Sequence, residues 1–269
     1  PVLGQKNISL EDIWLNYSYY SRSVPGFNFM NDGESYSRLQ SNKVQKYSIK
    51  SGQFIEDLFA LDMLPSSTDL PESISGYSFS ADEQKMLVES GPESIYRYSY
   101  KADYFVWADG SLDPLFDEGK VMHASFDPSG TKVAFVFDNN LYIKNLKDGT
   151  VDQVTTDGSF NEVINGSADW VYEEEFGFTK AFQWSTDGKY VGYYRFDERA
   201  VKEFTMTVYK NEMYPEYQTF KYPKVGEQNA TVSVFIYNVD AKTNIQADLP
   251  VDPELYTPRI KWANPEHGL

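Results

Sequence analysis

Three stretches of this chain share one pattern, and that pattern limits the fold more than any other feature. Phe79-Ser80-Ala81-Asp82-Glu83-Gln84-Lys85 leads into Met86-Leu87-Val88. Phe126-Asp127-Pro128-Ser129-Gly130-Thr131-Lys132 leads into Val133-Ala134-Phe135, and Trp184-Ser185-Thr186-Asp187-Gly188-Lys189 into Tyr190-Val191-Gly192-Tyr193. Each unit reads as an aromatic residue, a polar turn, a Lys and an alternating strand. A second strand-and-turn element recurs at Tyr104–Gly110, Leu141–Gly149 and Val234–Asp240. Units of several short strands recurring every ~40–60 residues mark a β-propeller. A β-sandwich also has short strands and Gly turns, but the recurring S-x-D-G-type turn at blade-like spacing favours the propeller. With aromatics at 16% and 21 Tyr, composition also favours strands over helices.

The expected fold class is therefore all-β, a partial propeller of four blades and the start of a fifth at Tyr256–Trp262, over residues 24–269. Asn31-Asp32-Gly33 is a hairpin signal in its first unit. Residues 1–23 form a separate N-terminal segment, where Leu10, Ile13, Trp14 and Tyr17 fall at helical spacing.

One octet breaks the strand pattern: Asp169-Trp170-Val171-Tyr172-Glu173-Glu174-Glu175-Phe176. A solvated acidic run sits among small polar residues. This one is bracketed by Trp170, Tyr172, Phe176 and Phe178, which predicts a partly buried wall. Asp169 is a good N-cap, acids suit the opening turn, and Gly177 is placed to end a helix, so a short helical insertion is expected at 169–177. Neighbouring helical residues point about 100° apart, yet Glu174 and Glu175 are long enough to converge on one cation. Two close carboxylates repel, and a bound ammonium relieves that repulsion.

The octet resembles the D-W-x-Y-E-E-E-hydrophobic signature of the dipeptidyl peptidase IV family of serine peptidases. Ile95–Tyr100 and Tyr222-Pro223-Lys224-Val225-Gly226 through Thr231-Val232 resemble the same family in the same order. The resemblance implies the N-terminal part of an eight-bladed propeller. It also implies that Glu174 and Glu175 bind the free amino terminus of a peptide substrate, with Glu173 in support. Arg97 is implied to contact the first carbonyl of the peptide and to brace the acids, and Phe176 is the candidate lining for the first side chain. The implied reaction is removal of N-terminal Xaa-Pro or Xaa-Ala dipeptides. The expected partners are peptides with a free N-terminus, and the parent protein is a candidate homodimer.

What the sequence does not contain sharpens the reading. The nucleophile elbow G-x-S-x-G of such a peptidase does not occur in it. The Ser-Asp-His triad is expected in an α/β-hydrolase domain outside this chain, which alone is expected to be inactive. His123, at the start of a strand, reads as structural, and His267 as part of a loop. Two His and no Cys leave no expected transition-metal site, and no cofactor motif is found, so no metal and no cofactor are expected. A net charge of −16 argues against nucleic acid as a partner, and no apolar run is long enough for a membrane helix. The chain opens on Pro1 and is expected to be processed or part of a longer protein, of bacterial and periplasmic or otherwise extracytoplasmic origin.

Two rivals share some of these features. A non-catalytic ligand- or protein-binding propeller shares the repeats, but does not require the octet together with Arg97. A propeller glycosidase places its two acids about 5–10 Å apart, on different blades and not in one contiguous triplet.

Overall fold

Alternation along each repeated strand sets the architecture. The computed structural model describes residues 7–21, 26–64, 71–252 and 254–263. After a short helix α1 (Leu10–Trp14), the chain forms one antiparallel meander after another. The first sheet holds β1 (Asn28–Phe29), β2 (Ser35–Gln40), β3 (Lys43–Ser48) and β4 (Phe54–Ala60). The second holds β5 (Gly76–Phe79), β6 (Met86–Ser94), β7 (Tyr100–Ala108) and β8 (Ser111–Pro114), and the third β9 (Met122–Phe126), β10 (Lys132–Phe137), β11 (Asn140–Asn145) and β12 (Val151–Gln153). The sheets follow one another and do not close into a ring.

Successive strand residues point to opposite faces, so a strand apolar at every position supplies two cores. Met86 and Val88 pack with Val44 and Phe59 of the first sheet, while Leu87 packs with Val133 and Phe135 of the third. Ala134 and Val136 point onward to Val191, Tyr193 and Tyr237 of the fourth sheet. These three clusters thus lie between consecutive sheets, which is how propeller blades stack, while a fourth packs α2 onto its own sheet.

The fourth sheet carries two insertions. Its members are β13 (Val163–Asn165), β14 (Phe182–Trp184), β15 (Tyr190–Asp197), β18 (Thr231–Asn238) and β19 (Thr243–Gln246). Helix α2 (Trp170–Phe176) separates β13 from β14, and the hairpin β16 (Glu203–Val208)–β17 (Glu216–Lys221) separates β15 from β18. Both β13 and β14 pair with β15: Phe182–Trp184 face Tyr193–Val191, and Val163–Asn165 face Asp197–Arg195. One strand therefore pins both ends of the α2 insertion.

The repeated turn is closed the same way each time. Lys85 N–H donates to Ser80 Oγ at 2.9 Å and Tyr190 N–H to Ser185 Oγ at 2.9 Å, while Lys132 N–H donates to Asp127 Oδ1 at 2.7 Å. Gly33, Gly130 and Gly188 adopt φ of 69°, 65° and 70° in these turns, and Glu83 takes the equivalent place with φ 59°. Glu83 occupies a conformation that favours Gly, and its carboxylate accepts the Asn31 N–H of the preceding sheet at 2.7 Å.

Two expectations need correction. Helix α1 forms, with a capping box between Ser9 and Asp12, but Leu10 and Trp14 stay exposed, so it is not an amphipathic helix packed by its apolar face. Residues 256–262 form no regular strand, because no second strand pairs with them among the described residues. Trp262 instead donates its indole N–H to the Gln183 carbonyl at 3.1 Å and lies over Gly192. His123 is half-buried, its Nε2 3.1 Å from Ser167 Oγ, and loss of hydration around the ring, aided by the charge of Lys180, pushes its pKa down to about 3.

The turn analysis yields a stability prediction. At Gly188 a Cβ would meet neighbours only at ordinary contact distance, so the backbone conformation alone opposes a side chain. Gly188→Ala is expected to cost about 1 kcal/mol, read as a lower thermal midpoint. An unchanged midpoint would contradict this account of the turn.

Candidate functional site: the acidic helix and the Arg97 loop

Helix α2 is built from its ends inward. Asp169 accepts the Tyr172 N–H at 2.9 Å as N-cap, and Gly177 closes the helix in the left-handed conformation, φ 68°. Tyr172, 2% exposed, anchors the inner face against Phe196 and Phe178, and its hydroxyl accepts the Thr257 N–H at 2.8 Å. Trp170 meets Tyr222 edge-on, with centroids 4.3 Å apart.

With Tyr172 fixed inward, helical rotation sorts the three acids. Glu173 is fully buried, Glu174 is partly buried and Glu175 is exposed. Glu173 Oε1 accepts the backbone N–H groups of Tyr98 at 2.7 Å and Ser99 at 3.1 Å. These belong to the 95–99 loop joining β6 to β7, which Ser99 also braces through the Tyr96 N–H at 3.3 Å. Because that loop is held, Arg97 Nε lies 3.2 Å from Glu174 Oε1, with the Arg97 side chain 68% exposed. Glu173 Oε2 is buried without a hydrogen-bond partner among the described residues. No hydrogen bond or ion pair engages Glu175 among the described residues.

The structure thus brings Glu173, Glu174 and Arg97 together and leaves Glu175 open beside them. The three segments singled out in the sequence also meet: Arg97 pairs with Glu174, Tyr96 packs on Phe220, and Trp170 packs on Tyr222. Phe176 lies against Tyr172 and Tyr256, centroids 4.8 and 5.3 Å away, so its ring is engaged in packing. Among the described residues no group of His, Cys, Asp and Glu is arranged to hold a metal ion.

The burial of two acids, the N-cap Asp169 and Glu198, is not legible in the sequence. Burial pushes the Asp169 carboxyl up to about 7, against the opposing Tyr172 N–H bond. Glu198 is pushed up to about 8 by burial and then by the nearby Asp169 charge, with Lys221 opposing. The same acids and Glu173 raise the Tyr96 hydroxyl further, after burial. Nothing in the Asp197-Glu198-Arg199 context marks Glu198 as buried, because its environment comes from residues distant in sequence.

A sequence model of the dipeptidyl peptidase IV (DPP IV) N-terminal region matches residues 80–269. Prolyl endopeptidase FAP of Homo sapiens is 31% identical over 235 residues, covering 85% of this chain and 30% of that protein. A probable dipeptidyl-aminopeptidase B of Talaromyces stipitatus is 36% identical over 202 residues, covering 67% of this chain and 22% of that protein. The crystal structure of Porphyromonas gingivalis dipeptidyl peptidase 4 superposes with a TM-score of 0.88 at 39% identity, covering 96% of this chain and 37% of that one. The chain spans between 22% and 37% of the length of these relatives.

The buried acids give the site a pH signature. An unfolded chain releases Asp and Glu protons near pH 4, whereas the folded protein holds them to about 7 at Asp169 and about 8 at Glu198. The folded state binds more protons in that window, so this contribution is complete below pH 4 and is lost as pH rises through 7 to 8. Asp169→Asn keeps a capping side chain and removes one of the two acids. Thermal midpoints measured from pH 5 to 8 should fall less steeply in the variant than in the parent. Parallel slopes would contradict the assignment.

Proposed function

The chain belongs to the dipeptidyl peptidase IV family, and we propose that it is the substrate-recognition propeller region of a serine-type dipeptidyl peptidase. Glu174 and Glu175 anchor the free amino terminus of the peptide, Arg97 contacts its first carbonyl, and Glu173 holds the loop that carries Arg97. The observation that carries this reading is the pairing of Arg97 with Glu174 on a loop tied down by Glu173.

Charge bookkeeping supports an ammonium ligand. Two acids and one guanidinium carry one net formal negative charge, which one peptide ammonium neutralises. An exposed Arg–Glu pair contributes only about 0–1 kcal/mol to stability, so the pair is better understood as positioning. Arg97 orients Glu174 and keeps other guanidinium donors for a carbonyl oxygen. An ion pair at 4 Å in an effective dielectric near 20 supplies roughly 4 kcal/mol before desolvation.

Anchoring the amine fixes how far the peptide extends. The reach from the acid pair to a nucleophile in a neighbouring hydrolase domain then admits two residues, and the peptide is cut after the second, Pro or Ala in this reading. The nucleophile, its base and the pocket for the second residue lie in the part of the protein outside this chain. Serine-type chemistry is thus a property of the whole protein, to which this region contributes binding and register.

The test uses the full-length protein and a pair of chromogenic substrates, Gly-Pro and N-acetyl-Gly-Pro. Leaving a partly buried charge unpaired costs on the order of 2–5 kcal/mol. Acetylation, Glu174→Ala or Glu175→Ala should therefore lower kcat/KM by roughly thirty-fold to a few thousand-fold. Equal turnover of the free and acetylated substrates by a folded, active protein would overturn the reading.

A further inference from the structure

Beyond the C-terminal end of the acidic helix lies a cavity where the charge has the opposite sign. The connection from α2 to β14, strand β15 and the segment 259–261 enclose this cavity of about 150 Å³. Among the described residues three cations line it, Lys180, Arg259 and Lys261, and no acidic residue does. In a chain with 40 acids and 24 Lys and Arg, three cations at one cavity would ordinarily be paired. None of the three takes part in an ion pair among the described residues.

Aromatic faces hold two of these cations instead. The Lys180 ammonium sits 4.7 Å from the centre of the Phe182 ring and the Arg259 guanidinium 5.1 Å from that of Phe178. Such contacts orient a cation without cancelling its charge. Lys180 donates to Ser125 Oγ at 2.8 Å, and Arg259 donates to the carbonyls of Phe176 at 2.9 Å and Pro258 at 2.8 Å. These neutral acceptors leave the cavity's positive charge in place.

Gln183 and the Tyr194 hydroxyl add neutral polar groups to the lining. Tyr194 is 2% exposed, lines the cavity, and its hydroxyl has no hydrogen-bond partner among the described residues. Buried hydroxyls are nearly always paired. Burial raises its pKa to about 12, with Arg259 opposing, so the hydroxyl keeps its proton and can donate it. A merely solvated basic patch would not explain this unpaired buried donor. It would not explain Lys180 either: much of that residue's surface is exposed, yet loss of hydration around its ammonium pushes the pKa down to about 8.

We propose that this cavity binds a small oxyanion, a carboxylate or phosphate group, between Lys180, Arg259 and Lys261, with the Tyr194 hydroxyl as a neutral donor. The site is separate from the ammonium-binding acids and does not depend on the peptidase reading. Arg259 links the two, since its guanidinium also caps the last turn of α2 at the Phe176 carbonyl.

The experiment titrates the full-length protein with inorganic phosphate at constant ionic strength set by chloride, following the thermal midpoint and, by calorimetry, the heat of binding. The wild type should show a saturable rise. Lys180→Gln and Lys261→Gln, each replacing an exposed residue, should weaken apparent phosphate affinity about tenfold, the loss of one charge-assisted hydrogen bond. Tyr194→Phe, which keeps the ring, should weaken it by a smaller factor. A parallel titration with acetate separates a carboxylate preference from a phosphate preference, and saturation by either supports the site. No saturable response to either anion beyond chloride, or a response unchanged in both lysine variants, would overturn the proposal.

Discussion

The carboxylate of Glu173 joins the acidic helix to the sheet that carries Arg97, and the geometry of the candidate site depends on that joint. Residues 95–99 are the loop that joins β6 to β7. Two of the loop's N–H groups end on Glu173 Oε1, and this bond spans more than seventy positions of sequence. Removing such an acceptor would leave two backbone donors unpaired, at about 1–3 kcal/mol each where they are buried. Arg97 would lose its fixed approach to Glu174 with them. The first acid of the triplet therefore acts through position, while the second and third remain available to a ligand.

The propeller supplies the rigidity that this joint needs. Strands that are apolar on both faces stack sheet on sheet, so the second and fourth sheets are held in register by the third between them. The α2 insertion leaves and re-enters the fourth sheet along one strand, β15. A helix of two turns would not persist alone. Here Tyr172, Trp170 and the pinned ends hold it, and the acids inherit their directions from that packing.

Much of this was legible in the sequence, for identifiable reasons. The repeats were readable because the turn needs a polar side chain to close it and a left-handed residue at its tip. Gly130 and Gly188 announce the turn, and Glu83 shows its limit, since the same geometry is met there by a residue that no pattern would choose. The helix at 169–177 was readable from Asp169 and Gly177. Its sorting of Glu173 inward and Glu175 outward was not, because rotation about the axis is set by Tyr172 meeting Phe196 and Phe178. The buried acids Asp169 and Glu198, the hairpin β16–β17 and the cation-lined cavity were not legible either. The acids and the cavity arise where residues distant in sequence are brought together, which neither local propensity nor spacing records, whereas the hairpin is local, pairing Val208 with Glu216 across its turn.

The central claim is that a peptide's amino terminus rests on Glu174 and Glu175. A crystal structure of the full-length protein with a bound Gly-Pro dipeptide tests it most directly. The account predicts the dipeptide ammonium within about 2.7–3.2 Å of carboxylate oxygens of both residues, and the Arg97 guanidinium facing the first carbonyl. A dipeptide seated with its ammonium away from both acids would contradict the account.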